Sequence, residues 1–318
     1  MLNGASDTWP STPPAALERA GARRAMTAAR RGTTLDPRLD LPSTPIQTVV
    51  ALAFTRRSGH VLLSEDLRGT GLAGVPFDYL NFKVISGNDE RAPDQGGGPG
   101  IELPRPMLAA HIGRLRRRVA GHPKWRNTVH FSKQQLGRYL DSVAAHRTTS
   151  NGVFSLMTRW DQLESVLLAH GIDLDRWHAP VRWMHMVRGD EVAQAIERVR
   201  ALPGTAGSAY DAGAIMTALD EIEAANAWWD CYFETHEIIP FRVVYEDYRT
   251  TRSATLRDVL AWMGCDGVED VEATASLSVD TASPEQGGRD YAEESAAWRA
   301  RFLADHAEFG GRTTDEGS

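Results

Sequence analysis

Cysteine is nearly absent. Cys231 and Cys265 are the only two in 318 residues, too few for a disulfide framework. They are expected as small buried apolar side chains in a reducing compartment, the cytoplasm. Long apolar runs are missing too. The first begins near Ile46 and is too short to span a bilayer, and no N-terminal signal is visible, so no membrane association is expected. Basic charge is not in excess: Lys and Arg number 35 against 42 Asp and Glu, which argues against a general nucleic-acid binder. The ATP-type pattern G-x-x-x-x-G-K-[ST] is lacking, since no lysine follows Gly59, and this disfavours an ATP or GTP kinase. His236-Glu237 is followed by Pro240 rather than a second histidine, so a zinc hydrolase is disfavoured and no metal is expected.

What is present centres on residues 47–82. The apolar run Val49 to Phe54 is short and begins with β-branched residues, which favours a buried strand. Arg56 to His60 make a tight turn. A helix follows with Val61, Leu62, Leu63 and Leu67 on a helical period, ending at Gly69 to Gly71. A turn between a parallel strand and a helix aims backbone N–H groups at one spot, a ready anion site. Arg57 adds positive charge there and Ser58 a hydroxyl. On spacing alone, an ordinary strand–turn–helix stands beside that reading.

The remaining chain repeats the alternation. Residues 1–14 are a flexible tail, and 15–31 make a basic helix whose face is more simply solvated than ligand-binding. Residues 88–100 are a glycine-rich mobile loop, 104–120 a helix with a basic face, and 132–147 a second helix. Asn151-Gly152 turns into a strand at Val153 to Met157, and a helix follows with Leu163, Val166 and Leu167 near one face and His170 at its end. Val181 to Val187 form a strand, Arg188-Gly189-Asp190 a turn, and Val192, Ala195, Ile196 and Val199 one face of a helix that Asp190 can cap. A long helix over 211–235 ends in core aromatics, including Trp228, Trp229, Tyr232 and Phe233. A strand at 239–245, a helix at 253–263, loop-rich 266–289 and a last helix from Tyr291 to Phe309 complete the chain.

Strands alternating with helices through 46–264 predict an α/β fold, a P-loop-like central parallel sheet flanked by helices. The expected division is an N-terminal extension at 1–45, partly disordered, an α/β domain at 46–270, and a C-terminal helix with a disordered tail at 271–318. Ligands of such sheets sit at strand carboxyl ends. Two of those ends carry Arg57 and Arg188, which suits a ligand with two separate anionic groups, such as a nucleotide phosphorylated at 5′ and 3′. The plainer alternative pairs Arg188 with Asp190.

Four segments together resemble the bacterial trehalose 2-sulfotransferase family, whose members use 3′-phosphoadenosine-5′-phosphosulfate (PAPS). Arg57-Ser58-Gly59 with Leu62-Leu63 is similar to R-S-G-S-T-L-L. Gly71 to Tyr79 is similar to T-G-V-A-G-x-P-x-E-[YF], Asn151-Gly152-Val153-Phe154 to N-G-V-[WF], and Arg188 to Ile196 to R-x-D-x-V-x-Q-A-V-S. The helix at Ala209 to Ile215 and the strand end Val244-Tyr245-Glu246-Asp247 fall in the same order. The resemblance covers about 46–264. It implies a sulfotransferase fold and sulfuryl transfer from PAPS to a hydroxyl of a sugar-containing or secondary-metabolite acceptor. Arg57, Ser58 and Gly59 would hold the 5′-phosphosulfate and Arg188 the 3′-phosphate. Asp78 would stand where the family has its glutamate base, and a homodimer is among the assemblies implied.

The departures from the family pattern matter as much. His60 and Val61 replace Ser and Thr in the phosphosulfate loop; Val61 loses a donor, while His60 would donate when protonated or act as a base. Met157 stands near an expected lysine, with Arg159 two residues on as its compensation. Glu197 replaces the serine after Q-A-V and would repel a 3′-phosphate unless it points away or Arg198 neutralises it. The family's late basic residue is missing around Ser276 to Ser283. These changes support an alternative, a sulfotransferase-fold protein that has lost PAPS use and runs another reaction or only binds.

Overall fold

The computed structural model describes residues 34–85, 101, 103–104, 131–201, 209–265 and 288–307. The tail at 1–14, the basic helix at 15–31, the loop at 88–100, and nearly all of the helix at 104–120 and of the loop at 266–289 lie outside the described residues.

Four strands form one parallel sheet: β1 (Thr48–Phe54), β2 (Val153–Thr158), β3 (Val181–Val187) and β4 (Phe241–Val244). Their spatial order is β2-β1-β3-β4. Ala51 pairs with Leu156 on one side and Trp183 on the other. The chain therefore leaves β1 toward one edge and later crosses to the other, which makes the carboxyl end of β1 the switch point where such sheets bind ligands.

Alternation along β1 feeds two cores, since successive strand residues face opposite ways. Val49, Ala51 and Ala53 pack with Tyr139, Leu140 and Val143 of α2 (Lys133–Arg147) and with Trp229 and Phe233 of α4 (Ala212–Thr235). Val50, Leu52 and Phe54 pack with Leu63 and Leu67 of α1 (His60–Thr70) and with Leu256, Val259 and Leu260 of α6 (Arg252–Trp262). Each fully buried leucine contributes about 1.5–3 kcal/mol. A third cluster joins α3 (Glu191–Arg200), α4 and α7 (Gly288–Asp305) through Ile196, Ile215, Ile222 and Phe302. Side-chain caps start three of the helices: Ser132 for α2, Asp190 for α3 and Asp211 for α4. A short helix, α5 (Tyr245–Thr250), follows β4 directly.

Boundaries differ from expectation where local chemistry decides. The helix after the first turn begins at His60 and runs through Gly69 to Thr70, because Gly71, left-handed at φ 66°, is the residue that ends it. The segment after β2 is a helical turn at Trp160–Gln162 that widens into a π turn at Leu163–Leu167. The last helix stops at Asp305 rather than Phe309. Cys265 is buried as expected, but Cys231 is exposed on α4.

His185, in the middle of β3, is 1% exposed and lies against Trp229 and Phe233 with neither ring nitrogen bonded. Burial, helped by Arg242, pushes its pKa down to about 3. The unfolded chain accepts a proton near pH 6.5 and the native chain only near 3, so this contribution is whole above 6.5 and falls as pH drops below it. At about 1.4 kcal/mol per pH unit, roughly 2 kcal/mol is lost between pH 7 and 5. His185→Met should not show that loss, as urea midpoints at the two pH values will test.

Candidate functional site

The turn after β1 is held from both sides. Ser58 N–H donates to the Thr55 carbonyl (3.1 Å), and the Thr55 hydroxyl to Asn226 on α4 (2.8 Å). Two residues take left-handed backbone, Arg57 at φ 68° and Gly59 at φ 91°. At Gly59 a Cβ would lie 2.1 Å from the Tyr245 ring, so only glycine fits. Gly59 precedes α1 without any side-chain cap, leaving that helix N-terminus to a ligand. Ser58 is wholly buried, and its Oγ has no hydrogen-bond partner. A buried hydroxyl left unpaired costs about 1–3 kcal/mol. A bound anion would supply the missing partner, so the loop fits a phosphosulfate.

Arg188, at the carboxyl end of β3, reaches this turn. Its Nη1 donates to the Arg57 carbonyl (3.1 Å) and its Nη2 to Glu197 Oε1 (2.8 Å), and its guanidinium lies 4.7 Å over the Tyr245 ring. Glu246 Oε1 is 3.8 Å from Nε. The expected plain pairing of Arg188 with Asp190 is not what forms: Asp190 caps α3 through Ala193 N–H and pairs with Arg299 of α7 (2.8 Å). Nor does Arg198 neutralise Glu197, because Arg198 pairs with Glu221. Glu197 turns toward Arg188 itself.

On the other flank, residues 73–78 run along β2. Gly74, at φ 69°, lets the chain approach so closely that a Cβ would meet Ser155 N at 2.7 Å, and Met157 N–H donates to the Phe77 carbonyl (2.9 Å). This brings Asp78 to the end of β2. Its carboxylate accepts from Gln162 Nε2 (2.7 Å), Asn81 Nδ2 (3.2 Å) and Arg159 Nη1 (3.4 Å). Burial raises its pKa, and Arg159, Gln162 and Asn81 pull against that. Arg159 also holds Asp161 through Nε (2.9 Å) and Nη2 (3.1 Å). Met157 is buried in the core.

His60 opens α1, its ring stacked on Phe54 at 3.8 Å, with Nδ1 buried and unbonded. Burial first, then Arg159, Arg57 and Arg56, push its pKa down to about 3. It is therefore neutral at neutral pH. As a donor it would need the charge of a bound anion to hold its proton, and as a base it would be weak.

The family model described as Stf0 sulphotransferase matches residues 49–305 of the chain. The chain belongs to the Stf0 sulphotransferase family. No curated protein matches it. The match spans all four strands and runs through α7, so the α/β parallel-sheet fold with flanking helices is a sulphotransferase fold. Among the described residues, no helix is long and apolar enough to cross a membrane.

Several residues of this Stf0 sulphotransferase had no role in the sequence reading. Gln194 Nε2 donates to the Arg56 carbonyl (2.8 Å), and Gln162 holds Asp78. Tyr245 lies against Gly59. Glu246 accepts from Gly189 N–H (2.9 Å) and Asp190 N–H (3.2 Å). Gln194, Tyr245 and Glu246 stand inside quoted motifs, which was their only signal. Gln162 had none.

Proposed function

We propose that this Stf0 sulphotransferase moves a sulfuryl group from a nucleoside 5′-phosphosulfate, PAPS being the donor implied by the family resemblance, to a hydroxyl of a sugar-containing or secondary-metabolite acceptor in the cytoplasm. The observation that carries the reading is the buried, unpartnered Ser58 hydroxyl, on a glycine-bearing turn at the switch point of the sheet. The donor supplies an activated sulfuryl group. The chain supplies position and charge: Ser58 Oγ, the open N-terminus of α1 and Arg57 hold the phosphosulfate, and Arg159, bonded to Asp78, adds positive charge beside the base. Asp78 takes the proton of the acceptor hydroxyl as the new O–S bond forms and the S–O bond to phosphate breaks.

The direct test is incubation with donor and an acceptor panel, with the product heavier by one sulfonate. Asp78→Asn should lower kcat about a hundredfold with little change in donor KM. That is the low end for a lost general base, because a loose transition state moves the proton late. Since burial raises the Asp78 pKa, the acidic limb of kcat/KM should lie above the ordinary carboxylate value of 3.8 and vanish in the variant. A limb that survives Asp78→Asn assigns the base elsewhere.

A second reading is a chain that keeps the fold but has lost PAPS use. What favours it is the carboxylate of Glu197 on Arg188.

A further inference from the structure

The guanidinium of Arg188 is flanked by two carboxylates, and Arg249 lies over the same Tyr245 ring, 5.7 Å from its centre. Arg188 is 8% exposed at its side chain. Nη1 is used by the Arg57 carbonyl, Nη2 by Glu197, and Nε faces Glu246. Glu246 also fills the N–H groups of Gly189 and Asp190, which would otherwise form an anion-binding concavity at the start of α3. Every donor nitrogen of Arg188 thus faces a carbonyl or a carboxylate, and the adjacent backbone donors are taken. A ligand that fixes one anionic group on the Ser58 turn meets this corner one strand over, at a guanidinium already bonded to the turn.

We infer that Glu197 makes this chain select a nucleoside 5′-phosphosulfate whose 3′ position is a free hydroxyl, and reject the 3′-phosphorylated donor. This rests on the proposed sulfuryl transfer for the chemistry at the loop and changes only what lies against Arg188. A phosphate there would confront Glu197 and Glu246 at close range. A ribose hydroxyl would donate to the Glu197 carboxylate, which needs no further cation. Dinucleotide-binding sheets discriminate the same way: an acidic side chain reads a ribose hydroxyl where an arginine reads a phosphate. The serine-to-glutamate change and the family arginine then cease to conflict. Arg188 holds the turn in shape, and Glu197 reads the sugar.

The test is calorimetric binding of two unreactive probes, adenosine 5′-monophosphate and adenosine 3′,5′-bisphosphate, to the full chain and to Glu197→Gln. The isosteric amide sits at a position one-third exposed, and the wild-type comparison needs no variant. Wild type should bind the monophosphate at least about tenfold tighter, and Glu197→Gln should erase or reverse that preference. Turnover with adenosine 5′-phosphosulfate against PAPS should follow the same order. Equal or tighter binding of the bisphosphate by wild type overturns the inference and leaves the sulfuryl-transfer reading standing. A preference unchanged in Glu197→Gln removes Glu197 from the role. If neither probe binds wild type, the phosphosulfate site itself falls.

Discussion

Replacing Arg188 by methionine is expected to lower kcat/KM for sulfuryl transfer about ten-thousandfold, the largest loss of any single change at this site. Two effects multiply. The guanidinium fixes the turn through the Arg57 carbonyl, and misplacing a reacting group by about 1 Å costs roughly a hundredfold. It also balances Glu197 and Glu246, and without it both carboxylates face the anionic donor, a like-charge repulsion that costs roughly another hundredfold. Stability should fall less, by about 2 kcal/mol. That is below the 3–5 kcal/mol of a fully buried pair, because Glu197 and Glu246 are 32% and 41% exposed and water screens them. Arg188→Lys should recover only part of the activity, since an ammonium cannot reach a carbonyl and a carboxylate with one planar fork. Steady-state kinetics on the three proteins, with urea midpoints, will separate the effects. Equal losses for Lys and Met would make the fork irrelevant, and a Met variant within tenfold of wild type would remove Arg188 from the site.

The second large effect is at Gly59. Alanine there places a methyl 2.1 Å from Tyr245 Cδ2 and 3.0 Å from Met186 Cε, on backbone at φ 91°. Left-handed strain costs about 1–3 kcal/mol and overpacking about as much again, so Gly59→Ala should destabilise by roughly 2–6 kcal/mol. The ring cannot retreat freely because the Arg188 guanidinium lies over it. Binding of adenosine 5′-phosphosulfate should fall below detection. Adding Tyr245→Ala should restore the packing share and not the backbone share, so the double variant should regain about half the lost stability. Full recovery would mean that the φ angle carries no cost, and no recovery would mean that the ring is not what the methyl meets.

The sheet was legible because its strands are short, apolar and separated by turns. Val49 to Phe54 and Val181 to Val187 read as strands from residue type alone, and Asp190 and Gly71 mark helix ends by cap chemistry that needs no tertiary context. Strand order was not legible, because it depends on which crossover passes over β1. The candidate site divides the same way. Ser58, Gly59 and Arg188 announce themselves by position at strand ends. What Arg188 does with its charge was missed, as Glu197 lies nine residues on and meets it only once α3 has turned back over the rim. The proton affinity of His60 was not legible for a related reason: it is lowered by burial against Phe54 and by three arginines around it.

The grip of Arg188 and α3 on the turn has a wider consequence. Gln194 and Arg188 take hold of two main-chain oxygens, those of Arg56 and Arg57. In a trans peptide the carbonyl and the following N–H point opposite ways, so anchoring the oxygens decides which way the amide hydrogens face. The orientation of the cradle is therefore written outside it, at the end of β3 and on the helix that follows, more than 130 residues downstream. The backbone of the turn is thereby held from outside, whichever side chains stand at positions 60 and 61.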